Sequence, residues 1–262
     1  MAILQTRLPY APWTHPAARR LPGVMPLAPK DWLFVDDAYG AQMAERARIL
    51  ATQEDDVLAC MPCARDAARE LLDLVLTQVP QHGFGHQGGA ILRPDGVRFV
   101  PDPARPLWSL GHLLQADFCI LQKPRDGDEH VLTGAVLCFP SSWTLADKLG
   151  RALLRIHAPV NSYDAQMGAR VQRMFDMIRP EQPLWRANLL RYENPALYQP
   201  RREFAPKDKR GDGVYIRSER QVLSRLPASR AVVFAIHTAV VHIDALTPEQ
   251  RQVVDTNLTH AG

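Results

Sequence analysis

Apolar positions along this chain change their period several times, and each change marks an element. From Cys63 to Val79, Ala67, Leu71, Leu72, Val75, Leu76 and Val79 recur three and four residues apart, the stripe of an amphipathic helix. Tyr39 to Gln53 carries the same period, Leu107 to Leu114 reads as a short helix, and Ala165 to Ile178 and Pro248 to Leu258 as further helices. Asp117 to Gln122, Val131 to Phe139 and the β-branched run Ala231 to Ile243 predict strands. Ala90 to Leu92 and Val97 to Val100 flank Arg-Pro-Asp-Gly, a hairpin signal. Leu184 to Tyr192 reads as one strand and Arg217 to Arg225 as a helix. Residues 1–35 are proline-rich and irregular, an arm laid over the domain. Strands in hairpin-like order with helices between them predict an α+β antiparallel sheet rather than a parallel one. Residues 1–80 form the arm and helices that pack on a core made by residues 81–262, the whole making one compact unit.

One segment combines helical period with chemistry. In Ser141 to Asp164, Thr144 and Asp147 stand in capping-box spacing, and Leu145, Leu149, Leu153 and Ile156 form an apolar stripe. The spacing predicts a single helix over 144–157. His157 continues the stripe, and Pro159 stops the helix just beyond it. An imidazole on a buried helix end is a good place for an axial metal or haem ligand. The competing reading is a core histidine whose Nδ1–H meets a nearby carbonyl. A helix C-terminus also favours the protonated ring, whereas a ligand must be neutral. Spacing alone leaves both readings open.

Composition narrows the field. The 262 residues suffice for a sizeable core without disulfides. No apolar run approaches eighteen residues, and the N-terminus lacks the continuous apolar stretch of a secretory signal; Arg19-Arg20 leads into a proline-broken stretch. A cytoplasmic location, with no membrane contact, is the expectation. Four cysteines agree: Cys119 and Cys138 lie in apolar runs, and Cys60-Met-Pro-Cys63 has CxxC spacing but no second pair to complete a four-cysteine cluster. Structural thiols are favoured there over a redox or metal role. Between residues 141 and 225, sixteen Lys or Arg face nine Asp or Glu, although the whole chain is only +3. That excess suits anionic cofactor groups or an acidic electron donor, or is a solvated basic face. No nucleic-acid signature accompanies it.

Other motifs carry less. Gly83 to Gly88 matches GxGxxG, but a helix precedes it and a hairpin follows, the wrong context for a dinucleotide. His82 and His86 have one-turn spacing broken by Gly83 and Gly85. His112 is divided between pocket and surface. His237 and His242, five apart in one strand, point to opposite faces. No GxSxG elbow or P-loop is present.

Several blocks in order resemble the haem-dependent oxidative N-demethylase family, alpha subunit. They are Leu110-Gly111 and Gln115-x-Asp117; Phe139-Pro140-x-x-Trp143 with Asp147-Lys148-x-Gly150; Ile156-His157-x-Pro159-Val160-x-x-Tyr163; Arg186-x-Asn188; and Arg217-x-Glu219-Arg220-Gln221 running into Leu223-x-Arg225-Leu226-Pro227. The resemblance spans residues 90–245 and implies a PAS-like fold holding one haem b. It implies oxidation of a small amine with O2, electrons arriving from separate flavin and iron–sulfur subunits. His157 becomes the proximal ligand. Trp143, with Phe139, Leu153, Val160 and Phe175, becomes apolar wall, and Arg186, Arg217 and Arg220 anchor the propionates. Asn188 and Asp117 become the catalytic residues, one at the distal oxygen site and the other beside a cationic amine. Ala116, Leu189 and Asn161 depart from the family's pattern, which bears on which amine is taken. The alternatives are a non-catalytic haem sensor or gas-binding module, and a haem-free interaction subunit with His157 in its core.

Overall fold

The structure, a computed structural model, describes residues 2–14, 23–158, 165–206 and 213–258. Its centre is an antiparallel sheet of eight strands, numbered here in chain order: β1 (Met25–Pro26), β2 (Leu58–Cys60), β6 (Asp117–Gln122), β7 (Val131–Val136), β8 (Leu184–Ala187), β9 (Leu190–Tyr192), β10 (Tyr215–Arg225) and β11 (Val232–His242). Across the sheet the order is β1-β8-β10-β11-β6-β7-β2, with β9 also beside β10. A small second sheet joins β3 (Gly85–Gln87), β4 (Ala90–Leu92) and β5 (Arg98–Phe99). The helices are α1 (Tyr39–Thr52), α2 (Glu54–Val57), α3 (Arg65–Gln78), α4 (Pro106–Leu113), α5 (Leu145–Lys148), α6 (Leu153–Ile156), α7 (Ala165–Met177) and α8 (Pro248–Leu258). The chain is therefore α+β, as the pattern predicts. Among the described residues no helix is long and apolar enough to cross a membrane.

Alternation along the strands divides the core between the two sheet faces. Phe118, Ile120, Val222, Val233 and Ala235 face α1, α3 and α4, whose stripes of Met43, Leu71, Leu72, Val75 and Leu110 are buried there. Cys119, Leu121, Leu132 and Leu223 face the other way, toward α5, α6 and α7. The arm closes a third cluster: Leu8, Tyr10 and Trp13 pack on Ile216, Ala239, Val241 and the α8 residue Val254. Gly111 lets α4 lie close against its neighbours, since a Cβ there would meet Leu50 and Val136 at 2.9 Å.

Three predicted elements are corrected. Arg217 to Arg225 is a strand, β10, paired along its whole length with β11 and also with β8 and β9. Its charged residues look solvated in sequence but are buried, because each guanidinium meets backbone carbonyls. Arg225 reaches Ile178 O at 2.7 Å and also Phe175 O, capping the end of α7. Leu184 to Tyr192 divides into β8 and β9. The single helix over 144–157 is two one-turn helices. Leu149 leaves helical angles with ψ 134, and Gly150 sits at φ +72. Strand-type partners from β7 replace the helical bonds: Gly150 N–H donates to Leu132 O at 2.8 Å, and Leu132 N–H to Arg151 O at 3.1 Å. The N-cap half of the box is present, with Thr144 Oγ1 accepting from Asp147 N–H at 3.4 Å, while the Asp147 carboxylate accepts from the Thr144 hydroxyl at 2.7 Å rather than from its backbone N–H.

Candidate functional site

Between the sheet and α5–α7 lies a cavity of about 570 Å3, within the range of small-molecule and cofactor sites. The floor comes from alternate strand residues: Cys119 and Leu121 on β6, Phe234 and Ile236 on β11, and Glu219, Gln221 and Leu223 on β10. Met167, Val171, Met174 and Phe175 of α7 roof it, and Trp143, Leu153 and Ile156 wall it. Ser142 turns the chain into this wall at φ 63, a costly conformation for serine, and its N–H donates to Gln199 O at 3.0 Å.

His157 lines this cavity at the end of α6. Its Nδ1 lies 2.8 Å from Leu153 O, and its backbone N–H reaches the same carbonyl at 3.2 Å. A carbonyl only accepts, so Nδ1 carries the proton and, in the neutral ring, the lone pair is on Nε2. Burial pushes the imidazole's pKa below its ordinary value, and the Lys148 charge adds to this against the opposing Leu153 bond. Burial thus outweighs the helix-end preference for the protonated ring. Lys148 also lines the cavity; its Nζ donates to Ile156 O at 3.0 Å and lies 5.1 Å from the centre of the Trp143 ring.

The polar residues gather on β8, the link that follows it, and β10. Asn188 Nδ2 donates to Glu219 Oε2 and Asn188 Oδ1 accepts from Glu219 N–H, both at 2.8 Å. Arg217 Nε approaches Glu219 Oε1 at 3.3 Å. Arg186 projects from β8 with its Nε buried and lacking a hydrogen-bond partner among the described residues. Burial lowers its pKa while Glu219 opposes the shift.

Of the residues chosen from sequence, His157, Trp143, Arg186 and Asn188 meet in the cavity, with Leu153 and Phe175. Asp117, Arg217 and Arg220 do not line it. Asp117, the first residue of β6, is fully buried outside the cavity; it pairs with Arg46 of α1 at 2.6 Å and accepts from Cys138 and Phe139 N–H at 2.7 and 2.9 Å. Both carboxylate oxygens are engaged in structural bonds. Arg217 is spent on Leu197 O and Phe139 O at 2.9 and 2.6 Å, and Arg220 on Trp32 O and Asp31 O at 3.1 and 2.5 Å on the other face of the sheet. Phe139 belongs to the core under Arg46. Pro159, Val160, Asn161 and Tyr163, with Arg19 and Arg20, lie outside the described residues. Lys148, Glu219 and Gln221 were missed. The period-2 alternation of Glu219, Gln221 and Leu223 points them to one face once β10 is recognised as a strand.

The remaining motifs fall elsewhere. Cys60 and Cys63 are free and exposed, and partial burial pushes the Cys60 thiol up, away from thiolate character. Gly85 to Gln87 is strand β3, with no helix after it to receive a pyrophosphate. His112 stacks on Phe99 and packs tilted against Trp108, the three rings forming one cluster. His237 is buried 3.3 Å from Asp36 on the face opposite the cavity. Among the described residues no three metal-ligating side chains cluster.

A cavity of this size and make-up, built on an α+β scaffold around one imidazole, defines a cofactor- or small-molecule-binding protein. The match to known families is more specific. Over residues 23–260 the chain matches the family described as haem-dependent oxidative N-demethylase, alpha subunit-like, and it belongs to that family. The family's named chemistry is that of a haem-dependent oxidoreductase, and an alpha subunit works within a larger assembly. The residues present fit haem: an imidazole with its lone pair on Nε2, apolar walls, and a buried guanidinium with a spare N–H for a carboxylate.

Proposed function

We propose that this chain is the haem b-binding catalytic subunit of an enzyme that oxidises the N-methyl group of a small amine with O2, electrons coming from separate flavin and iron–sulfur subunits. The observation that carries the reading is His157, facing a cavity of about 570 Å3 with its Nδ1 committed to Leu153 O. The PAS-like character expected of the sheet belongs to the same reading. His157 would hold the iron through Nε2, Arg186 would take a propionate, and Trp143, Leu153 and Phe175 would line the macrocycle. When bound, the haem supplies O2 activation and oxidation at the N-methyl carbon.

The chain's own residues bind, orient and exclude water. Among the described residues Glu219 is the carboxylate that lines the cavity, and it takes the recognition role expected of Asp117. A buried carboxylate attracts a protonated amine and holds it in place. Asn188 acts through Glu219, its Nδ2 donating to the carboxylate and its Oδ1 accepting from the Glu219 backbone N–H. The apolar roof from α7 keeps water from the reacting carbon. The carbinolamine product then breaks down to formaldehyde and the demethylated amine.

The test is formaldehyde release by haem-loaded protein given O2, a chemical reductant and a panel of small secondary and tertiary methylamines. Turnover is expected for at least one of them. Glu219→Gln should raise KM about tenfold or more while leaving the haem spectrum unchanged. Haem-loaded, reducible protein that yields no formaldehyde from any of the amines refutes the catalytic reading.

A further inference from the structure

A one-turn helix has little stability of its own, because nucleation is costly and its last carbonyls lack intrahelical donors. The helix that carries His157, α6, is four residues long and separated from α5 by the break at Leu149 and Gly150. Backbone bonds hold its start, Leu153 N–H donating to His130 O at 3.1 Å, so the position of its far end falls to side chains. Leu153 O is taken by His157 itself. Ile156 O, the carbonyl immediately before His157, accepts from Lys148 Nζ at 3.0 Å. Lys148 is the last residue of α5, so this bond links the two broken halves directly across eight residues, while Glu203 bridges them indirectly through Asp147 and Arg155. A cation at a helix C-terminus is also favourable in itself. The ammonium lies 5.1 Å from the Trp143 ring centre, with Asp147 and Glu203 nearby to balance its charge.

We infer that Lys148 is a positioning residue for His157: its bond to the Ile156 carbonyl fixes the end of α6 and with it the orientation of the imidazole in the cavity. The inference rests on the haem reading for its consequence, but the orientation itself exists without haem. Lysine is required for its reach and its donors. Methionine keeps much of the stem's packing and loses the bond, whereas arginine keeps both.

The test compares wild type, Lys148→Met and Lys148→Arg in the full chain. In the haem-loaded protein, Lys148→Met should lose haem to an excess of apomyoglobin about tenfold faster, the loss of one charge-assisted hydrogen bond. Its electron paramagnetic resonance signal should broaden as the axial ring samples several orientations. Lys148→Arg should stay within about threefold of wild type with a sharp signal. A Lys148→Met protein equal to wild type in both readouts overturns the inference. Nitrogen resonances of the His157 ring in the haem-free protein give a second measurement. A narrow single set in wild type and in Lys148→Arg, broadened in Lys148→Met, supports the inference; identical spectra in all three overturn it. Should the wild type bind no haem, the haem reading fails, while the ring spectra still decide the role of Lys148. Should Lys148→Met fail to fold, the Lys148→Arg comparison decides: loose haem and a broadened ring there, in a folded protein, overturn the inference.

Discussion

Replacing Gly150 by alanine tests the break between α5 and α6 through the sign of a stability change. A Cβ at Gly150 meets only Met61 Sδ, at 4.0 Å, so no clash complicates the result. What remains is backbone conformation. Gly150 sits at φ +72, and placing an L-residue there costs about 1–2 kcal/mol. Alanine also restricts the unfolded chain, which returns about 0.4–1 kcal/mol. The net expectation is a loss centred on about 0.8 kcal/mol, within a span of about 0–1.6 kcal/mol. Were residues 144–157 one continuous helix, the same change would stabilise by about 0.8–1.0 kcal/mol. The two outcomes lie about 2 kcal/mol apart, well beyond the error of a comparison of urea midpoints at constant m-value. Gly150→Asn, which enters the left-handed region more readily, should lose less than Gly150→Ala. An alanine variant with a higher midpoint than wild type refutes the broken-helix geometry that places His157.

Two further expectations follow from buried charges. Asp117→Ala leaves Arg46 and the Cys138 and Phe139 amides without their acceptor, so urea unfolding should show a loss of about 3–5 kcal/mol; a loss below about 1 kcal/mol contradicts the structural role. Asp36 is held below its ordinary pKa of 3.8: burial pushes it up, but hydrogen bonds and charge from His237, with bonds from Gln115 and Gln5, outweigh that. Its contribution is therefore present in full above the ordinary value and fades as pH falls through the depressed native one. Asp36→Asn should flatten the stability curve between about pH 5 and 2, and an unchanged acid slope contradicts the assignment.

Most elements were legible where one face is wet. The stripe of α3 and the Arg-Pro-Asp-Gly turn between β4 and β5 are local signals, and the structure places both elements within a residue or two of expectation. Strand β10 was not, because both its faces are covered and its arginines satisfy carbonyls from distant segments. Arg220 bonds Asp31 and Trp32, nearly two hundred residues away in sequence. Asp117 failed for the same reason. A buried carboxylate suggests recognition until its partner is known, and Arg46 lies 71 residues earlier. The break at Gly150 was hidden because apolar spacing continues across it; the bonds to β7 that replace the helical ones are long-range. That His157 lines the cavity follows the apolar stripe of Leu145, Leu153 and Ile156, which continues across the break.

The central claim is that His157 holds a haem. It is tested most directly by titrating haem-free protein with hemin and following the Soret band for wild type and His157→Ala. A sharp one-to-one endpoint in wild type and its loss in a folded His157→Ala protein are the predicted result. The same endpoint and the same spectrum in both proteins would contradict it.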